Sequence, residues 1–189
     1  ATVSGLVNCG KATVYKRTGT TWNSETILTP SNKAASDNFG YYCYFSSDGS
    51  RAIIGAPNAT RNSIASGTVY IFSVSGTTWT QEAELLASDR AAGFRFGESV
   101  AIDQNAVRCV ISARTKNSNT GAVYIFSRSG TSWTEEAIIT ETNPIIAYGP
   151  SFGQIVKIDS AGSRVAISAY ANDSTSSSAT STFSSGISM

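Results

Sequence analysis

The glutamates are the first residues to test for chemistry. Glu82 and Glu84 lie two apart and would share one strand face, while the adjacent Glu135 and Glu136 would point to opposite faces. A glycosidase needs two carboxyl groups converging across roughly 5 to 9.5 Å, and these spacings bring no such pair together. Histidine is absent, which removes the commonest general base and the commonest transition-metal ligand together. Serines abound, yet a Ser-His-Asp triad cannot be built within this chain. Asp48, Asp103 and Asp159 each precede a strand and read as turn formers whose carboxylates bond nearby backbone N–H groups. The sequence thus names no catalytic residue, no metal ligand and no cofactor, and the expectation is a protein that is not an enzyme.

Binding chemistry remains. Arg51, Arg108 and Arg164 occupy equivalent places in three copies of a repeat. They read either as repeat structure, each covering a strand edge or pairing with a turn Asp, or as a ring for an anionic ligand. Tyr41, Tyr42, Tyr44 and Phe45 form an aromatic knot where another copy has Glu98-Ser-Val-Ala101. Alternation along a strand turns about half of these rings outward, and exposed aromatics commonly contact carbohydrate or protein. Tyr41, Tyr42 and Tyr44, with the three arginines, are the candidate binding surface. Asn58-Ala-Thr60 and Asn172-Asp-Ser174 are N-glycosylation sequons, so Asn58 and Asn172 are candidate glycan sites. Three cysteines fit no zinc spacing, and the odd count allows one disulfide plus a thiol, or an intermolecular bond. Cys9 and Cys43 are the candidate pair, whereas Cys109 stands where the other copies have Ala52 and Val165 and reads as a small buried strand residue.

The elements that position these residues repeat. Gly67-Thr-Val-Tyr-Ile-Phe72 leads through Gly76-Thr-Thr-Trp79 to Phe96-Gly97 and then Val107–Ala113. Gly10…Tyr15, Gly19…Trp22, Phe39-Gly40 and Arg51–Pro57 precede it in the same order, and Gly121–Phe126, Gly130…Trp133, Phe152-Gly153 and Arg164–Ala169 follow it. The period of about 54 to 57 residues is that of propeller blades. Within it, Val-Tyr-Ile-Phe supplies strand content, and Gly19, Gly76 and Gly130 supply the hairpin turns. Each following Trp is expected to pack between adjacent sheets. Each Phe-Gly is expected to plug a core where backbones pass closely.

Composition narrows the partners. Charged residues make up 14% and the net charge is +1, with Lys and Arg scattered, so no nucleic-acid footprint is expected. No run of about 18 apolar residues exists, so no membrane insertion is expected. A surface of Ser, Thr, Asn and Gly suits an extracellular or cell-surface, glycan-coated or self-associating protein. Residues 171–189, dominated by Ser and Thr, read as a tail or linker unable to bury enough apolar surface to fold alone.

The order Phe-Gly, strand, Gly-Ala-Pro, Gly-x-Val-Tyr-Ile-Phe, Ser-Gly-x-x-Trp resembles the FG-GAP repeats of integrin-α-like β-propellers. It covers about residues 10–170, with repeats near 10–66, 67–120 and 121–170. One motif is full, Phe39-Gly40 to Gly55-Ala56-Pro57, and in two others Ser-Ala replaces Gly-Ala-Pro. The resemblance implies an all-β propeller of four-stranded antiparallel blades, each beginning just after Phe-Gly. It also implies calcium in many members, through a DxDxDG-like loop between Phe-Gly and Gly-Ala-Pro. Residues 39–57 hold one carboxylate, Asp48, whereas calcium wants six to eight oxygens, several anionic, so calcium sites do not carry over.

Phasing blades from Phe-Gly makes two halves and two wholes. Residues 1–30 supply the last two strands of a blade, 39–86 and 96–139 two whole blades, and 153–170 the first two strands of another. About three blade equivalents result, and propellers typically close with 4–8. The chain could belong to a longer propeller, join copies of itself into a ring or fibre through unpaired strand edges, or close compactly by sealing its N-terminal hairpin onto residues 153–170. The expected work is structural or adhesive self-assembly, with a glycosylated filament as one form. The alternative is a ligand- or carbohydrate-recognition module of a larger cell-surface adhesion protein.

Overall fold

A computed structural model of the chain describes residues 2–3, 6–141 and 152–169. The β-branched and aromatic runs form strands where their composition demands them. A short hairpin pairs β1 (Thr2–Val3) with β2 (Leu6–Val7), and a second pairs β3 (Ala12–Thr18) with β4 (Thr21–Leu28). The first four-stranded antiparallel sheet runs in order β5 (Cys43–Phe45), β6 (Arg51–Ala56), β7 (Thr68–Ser75), β8 (Thr78–Leu85). The second repeats it with β9 (Val100–Ile102), β10 (Arg108–Ala113), β11 (Ala122–Ser129) and β12 (Ser132–Ile139). A final two-stranded sheet pairs β13 (Val156–Ile158) with β14 (Val165–Ile167).

Sheet and sequence repeat are out of phase by half a blade. The stretch 67–120 supplies the last two strands of one sheet and the first two of the next, as phasing from Phe-Gly requires. The Asp turns that precede β6, β10 and β14 hold as read. Asp48 accepts from the Ser50 N–H (2.9 Å), Asp103 from Val107 (2.8 Å) and Arg108 (3.0 Å), and Asp159 from Ser163 (2.7 Å) and Arg164 (3.0 Å). Gly19, Gly76 and Gly130 adopt φ of 62°, 64° and 64° at the hairpin tips, a region that penalises a Cβ.

Three apolar cores lie between successive sheets, and strand alternation deals residues to both neighbours. In the first full sheet Ile54, Tyr70 and Phe72 face back, joining Val14, Leu28 and Phe39 in one cluster. Ile53, Val69 and Ile71 face forward, joining Phe96, Val100, Ile111 and Tyr124 in the next. Ala101, Val110 and Val123 then meet Val156, Phe152 and Ile167 in the third. Strands buried on both faces must read as near-continuous apolar runs, and these do.

Phe-Gly seals each of these joints. Phe39 and Phe96 are buried and meet the rings of Tyr70 and Phe72, or Tyr124 and Phe126, edge to face at 5.2–6.2 Å. Gly55 lies so close to the neighbouring sheet that a Cβ there would sit 1.9 Å from the Gly97 carbonyl oxygen.

Three expectations change. All three cysteines are thiols: Cys9 is wholly buried, with its Sγ near the Gly10 carbonyl, whereas Cys43 is exposed on β5. A disulfide needs two side chains aimed at one another, and these two occupy different surroundings. Trp22 does not pack between sheets but stands 64% exposed; the β1–β2 hairpin that precedes β3–β4 has two residues to a strand and carries no glutamate to receive the indole. The compact closure is also not adopted, since β3–β4 and β13–β14 remain separate two-stranded sheets. The tail 171–189, with Asn172, lies outside the described residues.

Candidate functional site

The polar chemistry of this chain is concentrated where one sheet meets the next. In each long hairpin a β-bulge falls at the same place, between Val14 and Tyr15, Ile71 and Phe72, and Ile125 and Phe126. The extra residue opposite is Glu25, Glu82 and Glu136 in turn, because Ser24, Gln81 and Glu135 are paired and so are Thr26, Ala83 and Ala137. A bulge re-aims a side chain out of strict alternation. For that reason Glu82 and Glu84 do not act as a same-face pair.

Of these bulged glutamates, Glu82 is a two-sided receptor. The Glu82 carboxylate accepts a forked pair of bonds from Arg51 of its own sheet, Nε at 3.0 Å and Nη2 at 2.8 Å. Its other partner is the indole N–H of Trp133 in the following sheet, at 3.0 Å. Burial by itself raises the Glu82 pKa, but the bonds from Arg51 and Trp133 outweigh it and hold the carboxyl below the usual range. One sheet earlier, the Trp79 indole donates to Glu25 at 3.0 Å. One sheet later, Arg108 donates to Glu136 at 2.9 Å. The sheets are therefore pinned in series, Trp79 to Glu25 and Trp133 to Glu82, while Arg51 and Arg108 clamp Glu82 and Glu136 from within their own sheets.

A second staple holds the connecting loops. The Tyr70 hydroxyl donates to Asn32 (2.8 Å) and accepts from Arg61, which also pairs with Asp37 (3.0 Å) and Glu84 (2.7 Å). At the equivalent place Tyr124 donates to Asp89 (2.6 Å) and accepts from Lys116 (3.0 Å), while Lys116 and Asp89 form an ion pair. Burial, aided by Asp89, pushes the Tyr124 hydroxyl pKa well up. Asp89 is held low: burial would raise it, but the bonds from Lys116 and Tyr124 prevail.

The sequence-named residues divide accordingly. Arg51 and Arg108 are engaged by glutamates of their own sheets, whereas Arg164 is 87% exposed and only approaches Asp159, at 3.6 Å. Arg51 and Arg108 are thus already committed within their own sheets. Tyr41 and Tyr44 are exposed, and Tyr42 packs against the central core. Tyr41 and Tyr42 share an open cleft of about 400 Å³ with Glu98, Arg114, Gln154 and Ile155. Asn58 is exposed in the turn after β6. Glu84 and Glu135 serve Arg61 and Ser88, so no two of the four candidate acids are joined at one site. Among the described residues no cluster of three or more His, Cys, Asp or Glu is placed to hold a metal.

A family model described as the FG-GAP repeat matches residues 22–72 and 79–126. The first span runs from Trp22 through Phe39-Gly40 to Phe72 and the second from Trp79 through Phe96-Gly97 to Phe126, so each holds one Phe-Gly plug and the first strands of a full sheet, and together they hold the Trp79–Glu25 pin. The chain belongs to the FG-GAP repeat family. No curated protein matches it. FG-GAP propellers are generally non-enzymatic, and no helix among the described residues is long and apolar enough to cross a membrane.

Sequence reasoning missed the pin. Its signal was present as Trp22-x-x-Glu25, Trp79-x-x-Glu82 and Trp133-x-x-Glu136. Period-2 logic obscured it, because a bulge is a break in that period.

Proposed function

We propose that this chain is a non-catalytic, extracellular building unit of adhesion type, which assembles with copies of itself into a propeller ring or a filament. One observation carries the reading. The described residues divide into the last half of a blade, two whole blades and the first half of a blade. Among the described residues each half leaves a strand edge without a ladder partner, which invites pairing. The described residues of two copies supply about six blades, inside the range in which propellers close. A joint whose rotation does not close would grow a fibre instead. Asn58, exposed in the turn after β6, is the proposed glycan attachment point on the outside of such an assembly. Native mass measurement together with electron imaging tests this. Regular oligomers or fibres are expected, and monomers at every concentration would overturn it.

A specific cleft favours a second reading, in which the chain recognises a ligand. Tyr41, Glu98 and Gln154 each follow a Phe-Gly, and the three sheets bring them to one opening. An exposed ring beside a carboxylate and an amide is chemistry that suits a saccharide. Saturable glycan binding, lost in Tyr41→Ala while assembly persists, would favour this reading over the first.

A further inference from the structure

We infer that the two end half-blades of different copies join as one composite blade, in a register and with side-chain partners that the whole blades already display. The inference rests on the self-assembly reading above and adds to it the contacting residues.

Backbone register comes first. In the whole blades β6 pairs with β7 as Arg51↔Ser73, Ala52↔Phe72 and Ile53↔Ile71, and β10 pairs with β11 as Arg108↔Ser127, Cys109↔Phe126 and Val110↔Ile125. Among the described residues the strands without this partner are β14 and β3. Placing β3 of a second copy beside β14 in the same register sets Lys16 opposite Arg164, Tyr15 opposite Val165, Val14 opposite Ala166 and Thr13 opposite Ile167. The bulge between Val14 and Tyr15 then falls where the whole blades have theirs.

Three unfilled side-chain positions are filled by that single move. Arg51 and Arg108 are clamped on the bulged glutamates Glu82 and Glu136. Arg164, their equivalent, is 87% exposed, and in the composite blade it faces Glu25 of the second copy. That glutamate already accepts from Trp79, as Glu82 accepts from Trp133, and pairs with Lys16 of its own hairpin at 3.7 Å, so Arg164 would join Lys16 on it in the place that Arg51 takes on Glu82. Trp79 and Trp133 are pinned to the preceding glutamate, whereas Trp22 is exposed. In the joined state its indole reaches Glu136 of the first copy. Phe39 and Phe96 hold Phe72 and Phe126 edge to face. Tyr15, their counterpart, is 57% exposed, and in the joint it covers Phe152. One rigid placement thus satisfies an ion pair, an indole hydrogen bond and an aromatic contact, which ties the joint to a second copy of this chain rather than to an arbitrary strand.

The test is cysteine crosslinking in a Cys43→Ser background of the full chain. Antiparallel ladders alternate close and wide pairs, so two successive pairs are made, Val14→Cys with Ala166→Cys and Thr13→Cys with Ile167→Cys. Lys16→Cys with Ile167→Cys is the out-of-register control. Covalent multimers from at least one in-register pair, and none from the control, are expected. Assembly without in-register crosslinks, or with equal crosslinking of the control, would overturn the joint while leaving self-assembly standing. Chains that never associate would overturn both, and crosslinks confined to single chains would show the halves closing on themselves. Arg164→Glu and Trp22→Ala alter residues exposed in the free chain, so its melting should hold while association weakens about tenfold or more. Unchanged association in both would also overturn the joint.

Discussion

At the scale of single residues, equivalent glutamates do unequal work because their coverage differs. The Glu82 side chain is 3% exposed and holds both an arginine and an indole, whereas Glu136 and its Arg108 are each more than a third exposed. Glu82→Ala leaves a mostly buried guanidinium uncompensated and should cost about 3 kcal/mol in urea unfolding. Glu136→Ala should cost under about 1 kcal/mol in dilute protein. The acid response follows from the same bonds. Glu82 and Asp89 are held below their ordinary values in the folded chain, so the stability they contribute is fully present above their unfolded pKa, about 4. It is lost as pH falls through the lower folded values. Urea midpoints should therefore drop on acidification below about pH 4, and a Glu82→Gln, Asp89→Asn double variant should show a shallower drop.

At the scale of elements, the closest approach between sheets is made by glycine backbone rather than by side chains. Gly55→Ala would drive a Cβ into the Gly97 carbonyl. It should destabilise by about 3 kcal/mol or more, since backbone on both sides cannot yield. Gly76→Ala meets no atom within 4 Å and faces only the penalty of its φ of 64°, about 1 to 2 kcal/mol. Thermal melting of the two variants separates crowding from conformational strain. Where Gly55 stands in the first full sheet, the next two have Ser112 and Ser168, whose hydroxyls accept from the Ser99 and Ile155 N–H groups at 3.0 Å. The loss of Gly-Ala-Pro in those copies is therefore a change of bonding and not of fold.

The sheets were legible in sequence because strand content, hairpin glycines and Phe-Gly all repeat at one period, so each copy corroborated the others. The Asp turns were legible because their bonds are local. What escaped depends on neighbours in space: the Trp–Glu pin joins residues some fifty positions apart, 79 with 25 and 133 with 82. Trp22 resembles the other two tryptophans in sequence and differs from them in that the β1–β2 hairpin before it offers no bulged glutamate. The pairing of Cys9 with Cys43 failed for a related reason, since spacing says nothing of which way a thiol points.

At the scale of the whole molecule, stability and association should be linked. A composite blade buries surface that the free chain exposes, so the melting temperature should rise with protein concentration. Trp22→Ala should flatten that dependence without lowering the dilute-limit value, as differential scanning fluorimetry across a dilution series would show. The connection between the second and third strands of each whole blade has a further consequence. Inside a chain, peptide backbone through residues 57–67 and 114–121 crosses it. Between copies the same connection is spanned by hydrogen bonds and side-chain contacts alone. Under tension, then, a filament of this kind would part at its seams while its blades stayed whole, and slack would let the same ends re-anneal.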